Sequence, residues 1–195
     1  YGLPQHRRRL VLLASRLGPI SVPMGSRDEG NYRTVRDVIG DLPEVSNGGQ
    51  HATDSLHVAR KLSSLNEQRI KASTPGGTWE DWPDELLAAC HRKPSGASFK
   101  NVYARMEWDK PSPTITTLAH NFGAGRFGHP EQDRSITLRE AALLQGFPPG
   151  YKLVRPGERV NMSSVGRLIG NAVPPPIAAE VGRAVVEHVA EFIDA

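Results

Sequence analysis

A mixed α/β chain with a loop-rich middle is predicted from three observations. A short apolar run at residues 8–14, Arg-Leu-Val-Leu-Leu-Ala after a first Arg, suits a buried strand. A sharply bounded short helix is written between Thr137 and Gly146. An apolar stripe of Ile177, Val181, Ala184, Val185, Val189 and Phe192 predicts a long amphipathic helix at the end. Over the whole chain, 16 Pro and 19 Gly with 38% hydrophobic residues describe a loop-rich globular protein rather than a disordered one.

Gly2 and Pro4 make residues 1–5 a turn, and Gly18-Pro19 ends the first strand. Residues 26–30 form a polar loop. Residues 34–39 read as a short helix capped by Thr34 and stopped by Gly40. Asn47-Gly48-Gly49 marks a turn. Leu56, Ala59, Leu62 and Leu65 recur at threes, predicting an amphipathic helix, or two short ones, over residues 56–70. Residues 73–79 are a loop, and residues 85–90 are again briefly helical. Residues 91–100 are basic, with Arg92, Lys93 and Lys100 around Pro94-Ser95-Gly96; a solvated loop and a phosphate-contacting loop fit them equally. The β-branched run at 114–118 predicts a strand.

Thr137 stands three residues before Glu140, a capping box in which each side chain satisfies a backbone N–H of the first turn. Gly146 is placed to end that helix in the left-handed conformation, with Phe147 supplying the apolar contact and Pro148 blocking continuation. Residues 152–158 form a polar loop. Ser163 or Ser164 caps a helix over 165–169, and Pro174–176 pre-set the backbone for the final helix.

The 195 residues carry 24 Lys+Arg against 21 Asp+Glu, a net charge of +3 that permits nucleic-acid binding without demonstrating it. One cysteine excludes an intrachain disulfide and fits a reducing compartment. No apolar run approaches membrane-spanning length, and no signal peptide is visible. The seven histidines offer no zinc-ligand spacing, so no metal site is expected. Gly123–Gly128 matches G-x-G-x-x-G, but His129-Pro130 follow instead of a helix, so it is not a dinucleotide site. The chain opens on Tyr1 with no Met and no lead-in, as a piece of a longer protein would.

Arg134-x-Ile-Thr-x-Arg-Glu-Ala-Ala-x-Leu-Gln-Gly-Phe-Pro, followed by Gly170-Asn-Ala-Val-Pro-Pro, resembles the last two blocks of the DNA (cytosine-5) methyltransferases. The opening Gln5-His6-Arg7-Arg8-Arg9 is similar to that family's Gln-x-Arg-x-Arg block, and residues 103–117 resemble the segment that closes its recognition region. The resemblance implies the C-terminal part of an S-adenosylmethionine-dependent, Rossmann-like methyltransferase domain with an inserted, mixed, loop-rich target-recognition domain. Residues 1–17 would end the catalytic sheet. Residues 18–160 would hold the recognition domain and junction helix, and residues 161–195 would return to the catalytic domain.

The activity implied is methyl transfer from S-adenosylmethionine to C5 of a cytosine flipped out of a specific duplex sequence. In that role Arg9 contacts the cytosine ring, and Arg7 and Gln5 position it. Asn171 and Ala172 contact the cofactor. Thr114, Arg105, Arg92, Lys93 and Lys100 touch DNA. Without the resemblance, residues 7–9 are equally a solvated basic strand end, Thr114 an ordinary strand threonine, and Asn171-Ala172 a helix-entry turn.

The family's glycine-rich cofactor loop, Pro-Cys nucleophile and Glu-Asn block have no counterpart in these 195 residues. Cys90 has His91 and Arg92 beside it, the basic company that reactive thiols keep. It follows Ala89 rather than Pro, however, and lies after the Gln-x-Arg-x-Arg block, so it is expected to be a partly buried small residue. The chain alone is therefore expected to be inactive. Its implied partners are double-stranded DNA and a missing N-terminal half, in the same chain or as a separate subunit, with no membrane. The implied setting is a bacterial cytoplasm, at the nucleoid through DNA. Two alternatives remain open: a non-catalytic DNA-binding specificity subunit, and a fragment of an RNA cytosine-5 methyltransferase.

Overall fold

The computed structural model describes residues 1–25, 31–96 and 98–193; the polar loop expected at 26–30 lies outside them. The described residues contain five α-helices: α1 (Arg36–Ile39), α2 (Ser64–Ala72), α3 (Leu138–Leu144), α4 (Met162–Asn171) and α5 (Pro175–Ile193).

α3 forms as its sequence requires. The Thr137 hydroxyl accepts from the Glu140 N–H while the Glu140 carboxylate accepts from the Thr137 N–H, at 3.1 and 2.7 Å. At the other end Gly146 sits at φ 90°. Its N–H and that of Phe147 donate back to Leu143 and Ala142, both carbonyls that the helix would otherwise leave open. Every residue of α3 is buried. It packs between α1 and α4, in a core that includes Val35, Ile39, Ile115, Ile136, Leu144, Val165 and Ile169. A second cluster, with Ile70, Trp79, Trp82, Leu86 and Phe122, lies apart from it.

Thr34 forms the same reciprocal pair with Asp37, at 3.3 and 2.7 Å, but one residue ahead of the N-cap: α1 starts at Arg36 after Val35, two residues later than expected. Other expectations need correction. Helix α2 begins only after Ser63, whose hydroxyl accepts from Asn66. Leu56, Ala59 and Leu62 are buried from irregular backbone, while Leu65 is exposed. The threefold spacing therefore marked burial but not a helix. Residues 85–90 reduce to one 3₁₀ turn, Asp84–Leu86. The cap of α4 is Asn161, which accepts from Ser164, rather than either serine.

Neither predicted strand forms. Among the described residues, pairing is limited to isolated bridges, such as Gln5 with Ser112 and Gly128 with Ser135. A strand needs a neighbour to take its N–H and C=O groups. Residues 8–14 have none, and Leu10 and Leu12 are 94% and 85% exposed. At residues 114–118 the groups are taken by side chains instead: Gln5 accepts from Ile115 N–H, and Arg7 donates to Ile115 C=O.

Candidate active-site cleft and nucleic-acid interface

The first nine residues are fixed against the middle and end of the chain by backbone and amide bonds. Ser112 N–H donates to Pro4 C=O at 2.7 Å, and His6 N–H to Ser112 C=O at 3.0 Å. The Thr114 hydroxyl donates to His6 C=O at 2.6 Å. Gln5, itself buried, meets three partners: its Oε1 accepts from Ile115 N–H, and its Nε2 donates to Gln145 Oε1 and Leu144 C=O at 2.9 and 3.2 Å. An N–H on one side and a carbonyl on the other leave its amide one orientation. Gln145, fully buried at the end of α3, passes the link on, donating to Ile169 and Ala172 carbonyls at 2.9 and 3.1 Å. Arg7 closes the circuit, donating to Ile115 C=O at 3.0 Å and Gly170 C=O at 3.3 Å.

This network frames a cleft of about 490 Å³ lined by Gln5, His6, Arg7, Arg8, Tyr32, Thr114 and Ile177, among others. Gln5, Arg7 and Thr114, separated by up to 109 positions in the sequence, thus share one wall. Burial, and then the positive charge of Arg9, lower the Arg7 pKa from its ordinary guanidinium value. Arg9 is exposed and donates to the carbonyl of Arg8, so most of its donors stay open.

Asn171 is the exposed last residue of α4, and Ala172 follows it with its carbonyl held by Gln145. The cleft lining does not include either. Of the five residues expected on DNA, Arg105 is corrected. It is 5% exposed. Its guanidinium donates to the carbonyls of Ile70, Ser73, His129 and Gln132 and to the Asp133 carboxylate. All five of its donors are occupied within the fold, which leaves none for a phosphate. Arg92 and Lys93 are exposed, the former donating to Asp84 C=O. Lys100 is half-exposed and pairs with Glu80 at 3.0 Å. Cys90, expected to be partly buried, is instead exposed, and it does not line the cleft.

Sequence reasoning assigned no role to His6 or Gln145. His6 stands inside the Gln-x-Arg-x-Arg block, and Gln145 inside Leu-Gln-Gly-Phe-Pro. The burial of Gln145 beside polar backbone was the missing signal. Among the described residues no group of three or more His, Cys, Asp or Glu could hold a metal, and no helix is long and apolar enough to cross a membrane.

Comparison with known proteins bears on the same residues. The family model described as C-5 cytosine-specific DNA methylase matches residues 1–187. The chain is 51% identical over 194 residues to the Type II methylase M.HgiDII of Herpetosiphon aurantiacus, covering 100% of this chain and 53% of that one. It is 35% identical to the Type II methyltransferase M1.BsuMI of Bacillus subtilis (strain 168), covering 91% of this chain and 39% of the relative. It is also 35% identical to DNA (cytosine-5)-methyltransferase 3 of Arabidopsis thaliana, over 79% of this chain and 12% of the relative. The chain thus spans about half, or less, of the curated relatives it matches. It shares its fold with a prophage-encoded E. coli protein assigned as a DNA modification methyltransferase, at a TM-score of 0.53 and 18% identity, over 80% of this chain and 47% of that structure. By the match along nearly its whole length, the chain belongs to the C-5 cytosine-specific DNA methylase family.

Proposed function

We propose that this chain forms the C-terminal, DNA-recognising part of an enzyme that methylates C5 of a cytosine turned out of a specific duplex sequence. Residues 1–17 and 161–195 belong to its S-adenosylmethionine-dependent catalytic domain, and residues 18–160 to its recognition region. The observation that carries this reading is the Gln5–Gln145–Arg7 network. It joins the chain's first block to the ends of α3 and α4 and leaves Arg9 open beside a cleft-lining arginine.

In the reaction, a cysteine thiolate adds to C6 of the flipped base. C5 takes the methyl group, a base removes the C5 proton, and the thiolate leaves as the ring is restored. S-adenosylmethionine supplies the electrophilic methyl group. Asn171 fits one polar edge of its site, since its side chain is exposed, and Ala172, both of whose backbone groups are bonded within the fold, fixes the turn that presents it. As sulfur adds, negative charge builds on the ring's N3 and O2. The Arg9 guanidinium stabilises that charge, which appears mainly in the transition state. The Arg7 guanidinium is held by two carbonyls and so keeps the segment in register. The thiolate comes from polypeptide outside these 195 residues, because their one cysteine, Cys90, follows Ala89 rather than Pro and lies after the Gln-x-Arg-x-Arg block. Relatives roughly twice as long support that division.

The test mixes this chain with the part of M.HgiDII that it does not match, and follows methyl transfer from labelled S-adenosylmethionine to duplex DNA. The expected result is no transfer by either part alone and transfer by the pair. Arg9→Ala in the pair should slow single turnover by about 100–1000-fold while DNA affinity holds. Turnover by this chain alone, abolished by Cys90→Ser, would overturn the assignment. So would an Arg9→Ala loss of binding in proportion to rate.

A further inference from the structure

The second apolar cluster supports a segment that the chemistry above does not use. His91 is 6% exposed and lies flat on Trp79, with ring centroids 4.1 Å apart and planes 14° from parallel. Neither of its ring nitrogens has a partner. Tyr103 stands edge-on to His91, Trp82 and Phe122 at 5.6–6.0 Å. The Arg69 guanidinium caps Tyr103 and Trp82 at 5.3 and 5.6 Å. Tyr103 is the one non-glycine among the described residues at positive φ, 53°. A left-handed tyrosine and an unpaired buried imidazole are both costly, and they persist only where the surrounding packing dictates the geometry. The cluster is therefore a rigid pedestal.

What it carries is residues 98–101. The buried Trp79 indole N–H donates to Phe99 C=O at 2.9 Å. Glu80 holds Lys100 at 3.0 Å, and Arg126 donates to Asn101 Oδ1 at 3.3 Å. Yet the Phe99 side chain is 65% exposed. A lone exposed phenylalanine needs no explanation. This one differs because both backbone groups of Phe99 are bonded, its N–H to Gly96 C=O and its C=O to Trp79, and side-chain contacts hold the next two residues, while its ring is exposed in a segment that also carries the exposed Arg92, Lys93 and Lys100.

We propose that residues 98–101 are a preformed DNA-reading finger, with Phe99 as the apolar tip that stacks on or wedges between bases. The proposal rests on the DNA reading given above and adds the residue that meets the bases. An apolar ring cannot hold phosphate, but every base offers it a π-face, and apolar wedges enter base steps in this way. The exposed Arg92 and Lys93 of the same segment, and Lys100 once it exchanges the Glu80 carboxylate for phosphate, neutralise the DNA backbone. Because the pedestal fixes the tip before DNA arrives, binding loses little ordering entropy there.

The experiment uses the full chain and a fluorescein-labelled duplex pool of randomised sequence, with anisotropy titrations at several salt concentrations. Phe99→Ala should weaken binding by roughly 5- to 100-fold, with the slope of log affinity against log salt unchanged. Phe99→Trp, which keeps a stacking face, should restore it. Lys100→Ala should instead make the slope shallower. Since Phe99 is exposed, the Phe99→Ala chain should unfold at the wild-type midpoint, which separates a lost contact from a lost fold. Wild-type affinity in Phe99→Ala, or a loss accompanied by a shallower slope, overturns the finger while the DNA reading stands. Failure of the wild-type chain to bind any duplex at low salt overturns both.

Discussion

Glu140 and Arg134 are each 1% exposed and meet through two hydrogen bonds of 2.7 and 2.8 Å. Burial pushes the Glu140 carboxyl up, but the hydrogen bonds and charge of Arg134 outweigh it, and the net shift is downward. His129 lies 3.9 Å from the same carboxylate. Burial lowers it, Glu140 pulls it back, and the charges of Arg134, Arg105 and His57 lower it further, to about 4. Its Nδ1 accepts from the N–H groups of Glu131 and Gln132, so the neutral ring is the one that fits. Both folded-state pKa values lie below the unfolded ones. Both groups therefore contribute stability that is present above the unfolded pKa and is lost as pH falls through the folded one. For His129 that window runs from about 6.5 down to about 4 and involves roughly 3 kcal/mol. Urea midpoints should fall steadily between neutral pH and pH 4, and His129→Gln should flatten that decline. A flat wild-type profile would refute the assignment. Arg134→Met, which leaves the Glu140 charge buried and unpaired, should cost about 3–5 kcal/mol at neutral pH in the same measurement.

Helix α4 delivers the Asn171-Ala172 turn, and its position depends on two glycines one helical turn apart. A Cβ on Gly170 would stand 2.2 Å from the Thr117 amide nitrogen and 2.4 Å from the Thr116 carbonyl carbon. One on Gly166 would meet the His120 ring at 2.7 Å and Thr117 C=O at 2.8 Å. Loop 116–120 can lie on α4 only because both positions lack a side chain. Backbone atoms cannot give way as a side-chain tip does. Gly170→Ala should therefore cost about 1–3 kcal/mol and, in the reconstituted enzyme, raise the concentration of S-adenosylmethionine needed for half-maximal rate. Gly182, in α5, has nothing within 4 Å of its added Cβ. Gly182→Ala should stabilise by about 0.5–1 kcal/mol through helix propensity alone. Thermal unfolding of the two variants checks the contrast, and equal shifts would show that the close approach at Gly170 is not limiting.

At the scale of the whole molecule, one apolar face stays uncovered. Residues 15–18 lie against α5: Ser15 Oγ meets His188 Nε2 at 2.7 Å, and a Cβ on Gly18 would come within 3.1 Å of the Phe192 ring. In the preceding run at 8–14 and in α5, Leu10, Leu12, Val186 and Ile193 are 68–94% exposed. His188 is the only buried residue of α5, and the predicted stripe is only partly covered, with Val185 and Phe192 39% and 46% exposed. Full burial of each such side chain would contribute about 1.5–3 kcal/mol, and a patch of this kind promotes association. The isolated chain should bind an apolar dye and sediment as concentration-dependent oligomers. Leu12→Glu with Val186→Glu should reduce both, and the complementary part of the enzyme should suppress both. A monomer that binds no dye would show the face to be covered.

By itself the sequence determined whatever depends on a few neighbouring residues. The capping box of Thr137 and Glu140, the left-handed Gly146 and the Thr34 bond ahead of α1 could all be read, because each is a bond between groups three to five positions apart. It also carried the family, through blocks whose residues the fold then gathers: Gln5, Arg7 and Thr114 reach one cleft. Only the tertiary structure decided the rest. The apolar run at 8–14 and the β-branched run at 114–118 have strand composition but no neighbouring strand, and pairing is a property of two segments. Arg105 looked like any basic residue of a DNA-binding region, yet carbonyls 24–35 positions away take its donors. Gln145 looked like a helix end, yet it joins Gln5 to Ala172 across 140 and 27 positions. A polar side chain becomes a contact for substrate or a strut of the fold according to which distant backbone groups lack partners, and local spacing carries no record of those.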